Sequence, residues 1–126
     1  MVYSIPKYEM PQRLRRMVDE LDELTSLPEN WDGYGSLPIQ ARAKETALKL
    51  IELLDQLDMP IPHFAPVSGG GLQMEWQKGK RELELEILPQ GEVLFLTADD
   101  SGEMTEGTLP PNLLPDLARL AERFKE

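Results

Sequence analysis

Leu72-Gln-Met-Glu-Trp-Gln-Lys-Gly-Lys-Arg-Glu-Leu-Glu-Leu-Glu-Ile87 is the stretch that decides the fold. Leu72, Met74 and Trp76 alternate with Gln73, Glu75 and Gln77; beyond Lys78-Gly79, Arg81, Leu83, Leu85 and Ile87 alternate with Glu82, Glu84 and Glu86. A period of two belongs to strands with one face buried. With the reversal at Lys78-Gly79, where glycine supplies a positive φ, Gln77 faces Lys80, Trp76 faces Arg81, Met74 faces Leu83 and Leu72 faces Leu85. The apolar residues then share one face, an agreement that a one-residue slip destroys. The same register sets Glu75 opposite Glu82 and Gln73 opposite Glu84, with Glu86 extending the row.

Outward from this hairpin the pattern continues. Pro89-Gln-Gly91 turns the chain into Glu92-Val-Leu-Phe-Leu-Thr-Ala98, a strand apolar on both faces. Asp99-Asp-Ser-Gly102 is a further turn, and Glu103-Met-Thr-Glu-Gly107 reads as a short last strand. Upstream, His63-Phe-Ala-Pro-Val67 reads as an edge strand limited by Pro66, joined to the hairpin by Ser68-Gly-Gly-Gly71. Helical spacing governs the flanks. Leu14, Met17, Val18, Leu21 and Leu24 predict a helix over 11–26. Ala43, Ala47, Leu50, Ile51, Leu54 and Leu57 predict a second that begins near Pro38 with Ser36 as its cap. Pro110-Pro111 opens a third, carried by Leu113, Leu114, Leu117, Leu120, Ala121 and Phe124. The expected fold class is α+β: two N-terminal helices, an antiparallel meander of three to five strands, and a C-terminal helix. A single domain spans 1–126, with an extended arm over 1–10, helices over 11–58, the sheet over 63–107 and the last helix over 110–125.

The link between the first two helices, Leu27-Pro-Glu-Asn-Trp-Asp-Gly-Tyr-Gly-Ser-Leu-Pro-Ile39, holds two large aromatics, two glycines and two prolines. Asn30 and Asp32 bond readily to nearby backbone, and the glycines permit unusual dihedrals. Trp31 and Tyr34 have two available roles: pinning the linker to the sheet, or anchoring a partner, since such residues dominate interface hot spots.

With 13 basic and 23 acidic residues, the formal charge is −10. Nucleic acids and anionic membranes are thereby disfavoured and a cationic protein surface is favoured. The chain has no cysteine, which removes disulfides and thiolate chemistry. The first residues lack the pattern of a secretory signal, so a cytoplasmic location is expected.

Most catalytic arrangements fail on composition or spacing. His63 is the only histidine, so neither a His-based metal cage nor a His pair can form. Ser36 and Ser68 lack a nucleophile-elbow context. Ser68-Gly-Gly-Gly71 lacks the lysine and following helix of a phosphate loop. Asp99-Asp-Ser-Gly102 lacks a full calcium loop. Glu75-Trp-Gln-Lys78 resembles a nuclease arrangement only superficially, because the lysine belongs to the turn. No catalytic residue, metal ligand or cofactor is assigned.

With Pro28-Glu-Asn-Trp-Asp-Gly-Tyr-Gly-Ser36, Pro38-Ile39, Gly70-Gly-Leu-Gln-Met-Glu-Trp76 and Leu83-Glu-Leu-Glu-Ile87, the chain resembles a group of small bacterial proteins without an established activity. They share an Asn-Trp-Asp-Gly core, a Pro-led helix and a Gly-Gly…Glu-Trp hairpin. The resemblance spans roughly residues 27 to 107. It implies a bacterial origin and a self-contained domain, and assigns no catalytic residue.

The leading expectation is a non-catalytic interaction module. It presents Glu75, Glu82, Glu84 and Glu86, with Trp31 and Tyr34 as anchors, to a basic protein; an antitoxin-like or immunity-like protein masking a cationic toxin is one version. Two alternatives use the same sheet. One is a metal-dependent hydrolase built on its carboxylates. The other is a structural homo-oligomer joined through the second apolar face of Val93 to Ala98.

Overall fold

The computed structural model describes residues 10–125. The extended arm expected over 1–10 lies outside the described residues, except for Met10, which is buried. The elements run α1 (Gln12–Thr25), α2 (Ala41–Gln56), β1 (His63–Val67), β2 (Gly71–Lys78), β3 (Arg81–Ile87), β4 (Val93–Ala98), β5 (Met104–Leu109) and α3 (Leu113–Lys125). The five strands form one antiparallel sheet in chain order, so the fold is α+β with a meander and a C-terminal helix.

One face of the sheet carries Phe64, Leu72, Met74, Trp76, Leu83, Leu85, Ile87, Val93 and Leu109, all buried. They join Leu14, Met17, Val18 and Leu21 of α1, Ala43, Ala47, Leu50, Ile51 and Leu54 of α2, and Leu117, Leu120, Ala121 and Phe124 of α3 in one apolar cluster. Each fully buried aliphatic side chain contributes on the order of 1.5–3 kcal/mol. Trp76 adds a hydrogen bond from Nε1 to Pro60 O at 2.7 Å. At the hairpin end, Arg81 Nη1 donates to Phe124 O at 3.2 Å and Lys78 Nζ to Lys125 O at 3.3 Å. These cations meet the carbonyl end of α3, where the helix dipole favours positive charge.

The hairpin keeps the expected faces and corrects the expected turn. Gly79 and Lys80 are the central residues: Lys78 pairs with Arg81, Trp76 with Leu83, Met74 with Leu85 and Leu72 with Ile87. Gly79 has φ of +62°, and Lys80 is not among the residues with positive φ. A two-residue turn with glycine first needs a positive φ at that place alone, as in type II′. A reversal at Lys78-Gly79 sets lysine at the first place, where a positive φ is sterically costly. Moving the turn by one residue shifts every partner by two, which preserves the faces but changes the pairs. Glu75 therefore lies opposite Glu84, Gln73 opposite Glu86, and Glu82 opposite Gln77.

Two helix starts also differ from expectation. Gln40 N–H donates to Gly70 O at 2.9 Å, and Gln40 Nε2 to Pro38 O at 2.8 Å. These bonds hold the residues before α2 extended against the glycine turn, so α2 begins at Ala41 rather than near Pro38, and Ser36 does not cap it. Likewise α3 begins at Leu113, beyond Pro110-Pro111. Pro115 sits in its first turn, where a missing N–H forfeits no helical bond. The last strand extends to Leu109, past the expected Gly107. Among the described residues, no helix is long and apolar enough to cross a membrane.

Candidate functional site

The helices cover one face of the sheet, and the other face collects the acidic residues. Cross-strand pairing aligns His63, Glu75, Glu84, Leu96 and Glu106 in one row, Ala65, Gln73, Glu86, Leu94 and Thr108 in the next, and Gln77, Glu82, Ala98 and Met104 in a third. Glu75, Glu82, Glu84 and Glu86 thus share one open, half-buried surface. Among the described residues no ion pair engages any of the four. Gln73 Nε2 donates to Glu75 Oε2 at 3.2 Å. Partial burial pushes the Glu84 carboxyl above its ordinary value, and the charges of Glu82, Glu75 and Glu86 push it the same way.

Leu94 and Leu96 are half-buried beside the glutamates, and Met104 is exposed. The surface is therefore acidic across β2 and β3, apolar along β4, and acidic again at Glu106 on β5. Sequence reasoning missed Leu94, Leu96, Met104 and Glu106 as members of this face. The expected meander already sets these strands side by side; the register that puts these residues on the same face as the glutamates was not read from the sequence.

The aromatic linker lies elsewhere. Trp31 is half-exposed and its Nε1 donates to Leu37 O at 3.2 Å, within the linker itself. Tyr34 is 92% exposed. The expectation that Trp31 pins the linker to the sheet is corrected: Asp32 does so. Its carboxylate accepts hydrogen bonds from Ser36 Oγ, from Ser68 Oγ at 2.9 Å and from Tyr34 N–H at 2.8 Å. The two serine hydroxyls lie 2.6 Å apart. Asn30 supplies the turn, with φ of +65° and its Oδ1 accepting from Gly35 N–H at 2.6 Å. The linker is thereby fixed to the turn between β1 and β2, and its polar bonds do not reach the glutamate row.

These bonds, that from Ser36 Oγ foremost, lower the Asp32 carboxyl from 3.8 to about 2. A carboxylate lowered in the folded state stabilises it above the unfolded value, and that contribution is lost as pH falls through the folded value. Asp32→Asn is therefore expected to remove stability at neutral pH and to flatten the acid response between about pH 4 and pH 2. Acid titrations of both proteins followed by circular dichroism check this; superimposable curves would show that the linker bonds contribute nothing.

Two clefts flank the sheet. One, of about 400 Å³, lies between α3 and the β4–β5 turn, bordered by Thr97, Thr105, Leu120, Arg123 and Phe124. The other, of about 500 Å³, lies between α2 and the β3–β4 turn. Neither contains the four glutamates as a set. Among the described residues, no group of three or more His, Cys, Asp or Glu side chains is placed to hold a metal ion. No family model, curated protein or solved structure matches the chain.

Proposed function

We propose that the protein is a non-catalytic, self-contained interaction module whose open sheet face docks a basic protein. The observation that carries this reading is the set of Glu75, Glu84 and Glu86 on one open face, with Glu75 directly opposite Glu84 and Glu86 in the neighbouring row, unmatched by any described cation. Like charges placed opposite each other on a sheet destabilise it, so the arrangement is costly to the free protein. A cationic partner reverses that cost. The adjoining Leu94 and Leu96 offer apolar contact for the stems of lysine and arginine side chains. The overall charge of −10 favours encounter with such a partner. An antitoxin-like or immunity-like role in a bacterial cytoplasm is the form of this reading that joins it to the Asn-Trp-Asp-Gly resemblance.

The test is affinity purification from the native host with the wild-type chain and with a Glu75→Gln, Glu84→Gln, Glu86→Gln variant as baits. The expected result is a basic protein retained by the wild type at low salt and released near about 1 M salt, where surface charges are screened. The variant is expected to miss it. Partners that bind both baits irrespective of salt would overturn the electrostatic reading.

A further inference from the structure

We propose that the outer edge of β5 is the docking strand, taking up an extended segment of a basic partner as a sixth strand of the sheet. This rests on the reading of the protein as an interaction module and specifies the element through which the partner binds.

Antiparallel pairs alternate between residues that exchange both backbone hydrogen bonds and residues whose N–H and C=O point away. Asp99 N–H donates to Glu103 O at 3.0 Å, which sets the phase for β4 and β5. Thr97 and Thr105, Phe95 and Gly107, and Val93 and Leu109 are then the bonded pairs. Met104, Glu106 and Thr108 direct their N–H and C=O groups outward. All three residues are exposed, and among the described residues no other element bonds to these groups. The strand Met-Thr-Glu-Gly-Thr-Leu contains neither proline nor lysine, and its register with β4 is unbroken. Of the usual devices that blunt an edge, proline, lysine and a bulge are missing, and the single charge present, Glu106, repels another acidic edge while leaving the edge open to a basic one.

The opposite edge is closed. The turn at Gly79-Lys80 makes Lys78 and Arg81 a bonded pair, so Gln73 and Glu75 point toward β1 and leave Phe64 and Pro66 facing outward. Pro66 has no N–H to offer, and Phe64 is buried.

Charge selects the occupant. Glu106 lies in the same cross-strand row as Glu84 and Glu75. A second copy that used all the outward groups in two-fold antiparallel pairing would centre on Glu106 and set it against itself, between chains of charge −10 each. A segment with lysine or arginine opposite Glu106 meets no such repulsion. Toward the helices, the Phe95 ring occupies the space beside Gly107 that a Cβ would take, and the cleft bordered by Thr105, Leu120 and Phe124 opens nearby. Alternate residues of the incoming segment are therefore basic on the open face and aliphatic on the helix side. Strand addition works in this way, with backbone bonds giving affinity and side-chain pockets giving selectivity.

The probe is an acetylated peptide of alternating lysine and valine, compared by backbone amide NMR with the same peptide N-methylated at its lysine amides. The expected result is slowed exchange at the amides of Met104, Glu106 and Thr108. Affinity should fall at least about tenfold on N-methylation, as the loss of two or three backbone bonds implies. Thr108→Pro, whose lost N–H serves no bond within the fold, is expected to weaken binding similarly with an unchanged circular dichroism spectrum. Equal binding of both peptides, with shifts at the Glu75, Glu84 and Glu86 amides, would overturn strand addition while leaving the acidic docking face intact. Binding of neither peptide would overturn both. Slowed exchange of the same edge amides on raising protein concentration without peptide would show the occupant to be a second copy and overturn the choice made here.

Discussion

Replacing Trp76 with alanine is expected to lower folding stability by about 3–5 kcal/mol, the range for removing a buried tryptophan. Trp76 is 4% exposed, stands opposite Leu83 on the helix side of the sheet and bonds through Nε1 to Pro60 O. It therefore joins the hairpin to the segment that leads from α2 into β1. Trp76→Phe keeps most of the apolar volume and loses the indole hydrogen bond, so a smaller cost of about 1–3 kcal/mol is expected. Trp31→Ala is expected to cost about 1 kcal/mol, since Trp31 is half-exposed and bonds only within its own linker. Denaturant titrations of the three variants check the ranking. The remaining tryptophan reports fluorescence in each alanine variant. A Trp31→Ala cost equal to that of Trp76→Ala would contradict the placement of the core.

Neutralising Glu75, Glu84 and Glu86 together is expected to strengthen the fold and weaken partner binding at once. Glu84 faces Glu75 across the β2–β3 pair, and removing such a like-charge pair is worth about 0.2–1 kcal/mol. The pH dependence gives the sign. Glu84 has a raised carboxyl value in the folded state, so its favourable contribution is present below the unfolded value and is lost as pH rises through the folded one. The advantage of Glu84→Gln over the wild type should therefore grow from acid toward neutral pH. Binding should move the opposite way, with a loss of about 10- to 100-fold, as expected for several charged contacts of about 1 kcal/mol each. A variant that is less stable at neutral pH would mean that the carboxylates have a stabilising cation. Opposed changes in stability and affinity are the mark of residues retained for binding.

The sequence made some of this legible and hid the rest for identifiable reasons. Alternation across Leu72 to Ile87 revealed which side chains share a face, because parity survives any shift of partner by two. It did not reveal the pairing of Glu75 with Glu84, because that depends on whether Gly79 is the first or the second central residue of the turn. The helices were readable from their apolar spacing, as was the start of α1, but the starts of α2 and α3 were not: Gln40, for one, is held extended by Gly70, a partner distant in sequence. Ser36 looked like a cap for the same reason, whereas its hydroxyl bonds to Asp32 and lies against Ser68. The mixed character of the open face, with Leu94, Leu96, Met104 and Glu106 beside the glutamates, needed the registers of β3 with β4 and of β4 with β5, although the meander order itself was expected.

Carboxyl footprinting of the complex with a basic partner recovered from the host tests the docking face most directly. Free protein and complex are treated with a carbodiimide and an amine, and labelling is read residue by residue. Strong protection of Glu75, Glu84 and Glu86, with little change at Glu29 and Glu122 elsewhere on the molecule, is the expected result. Undiminished labelling of the three sheet glutamates in a complex that protects some other surface would contradict it.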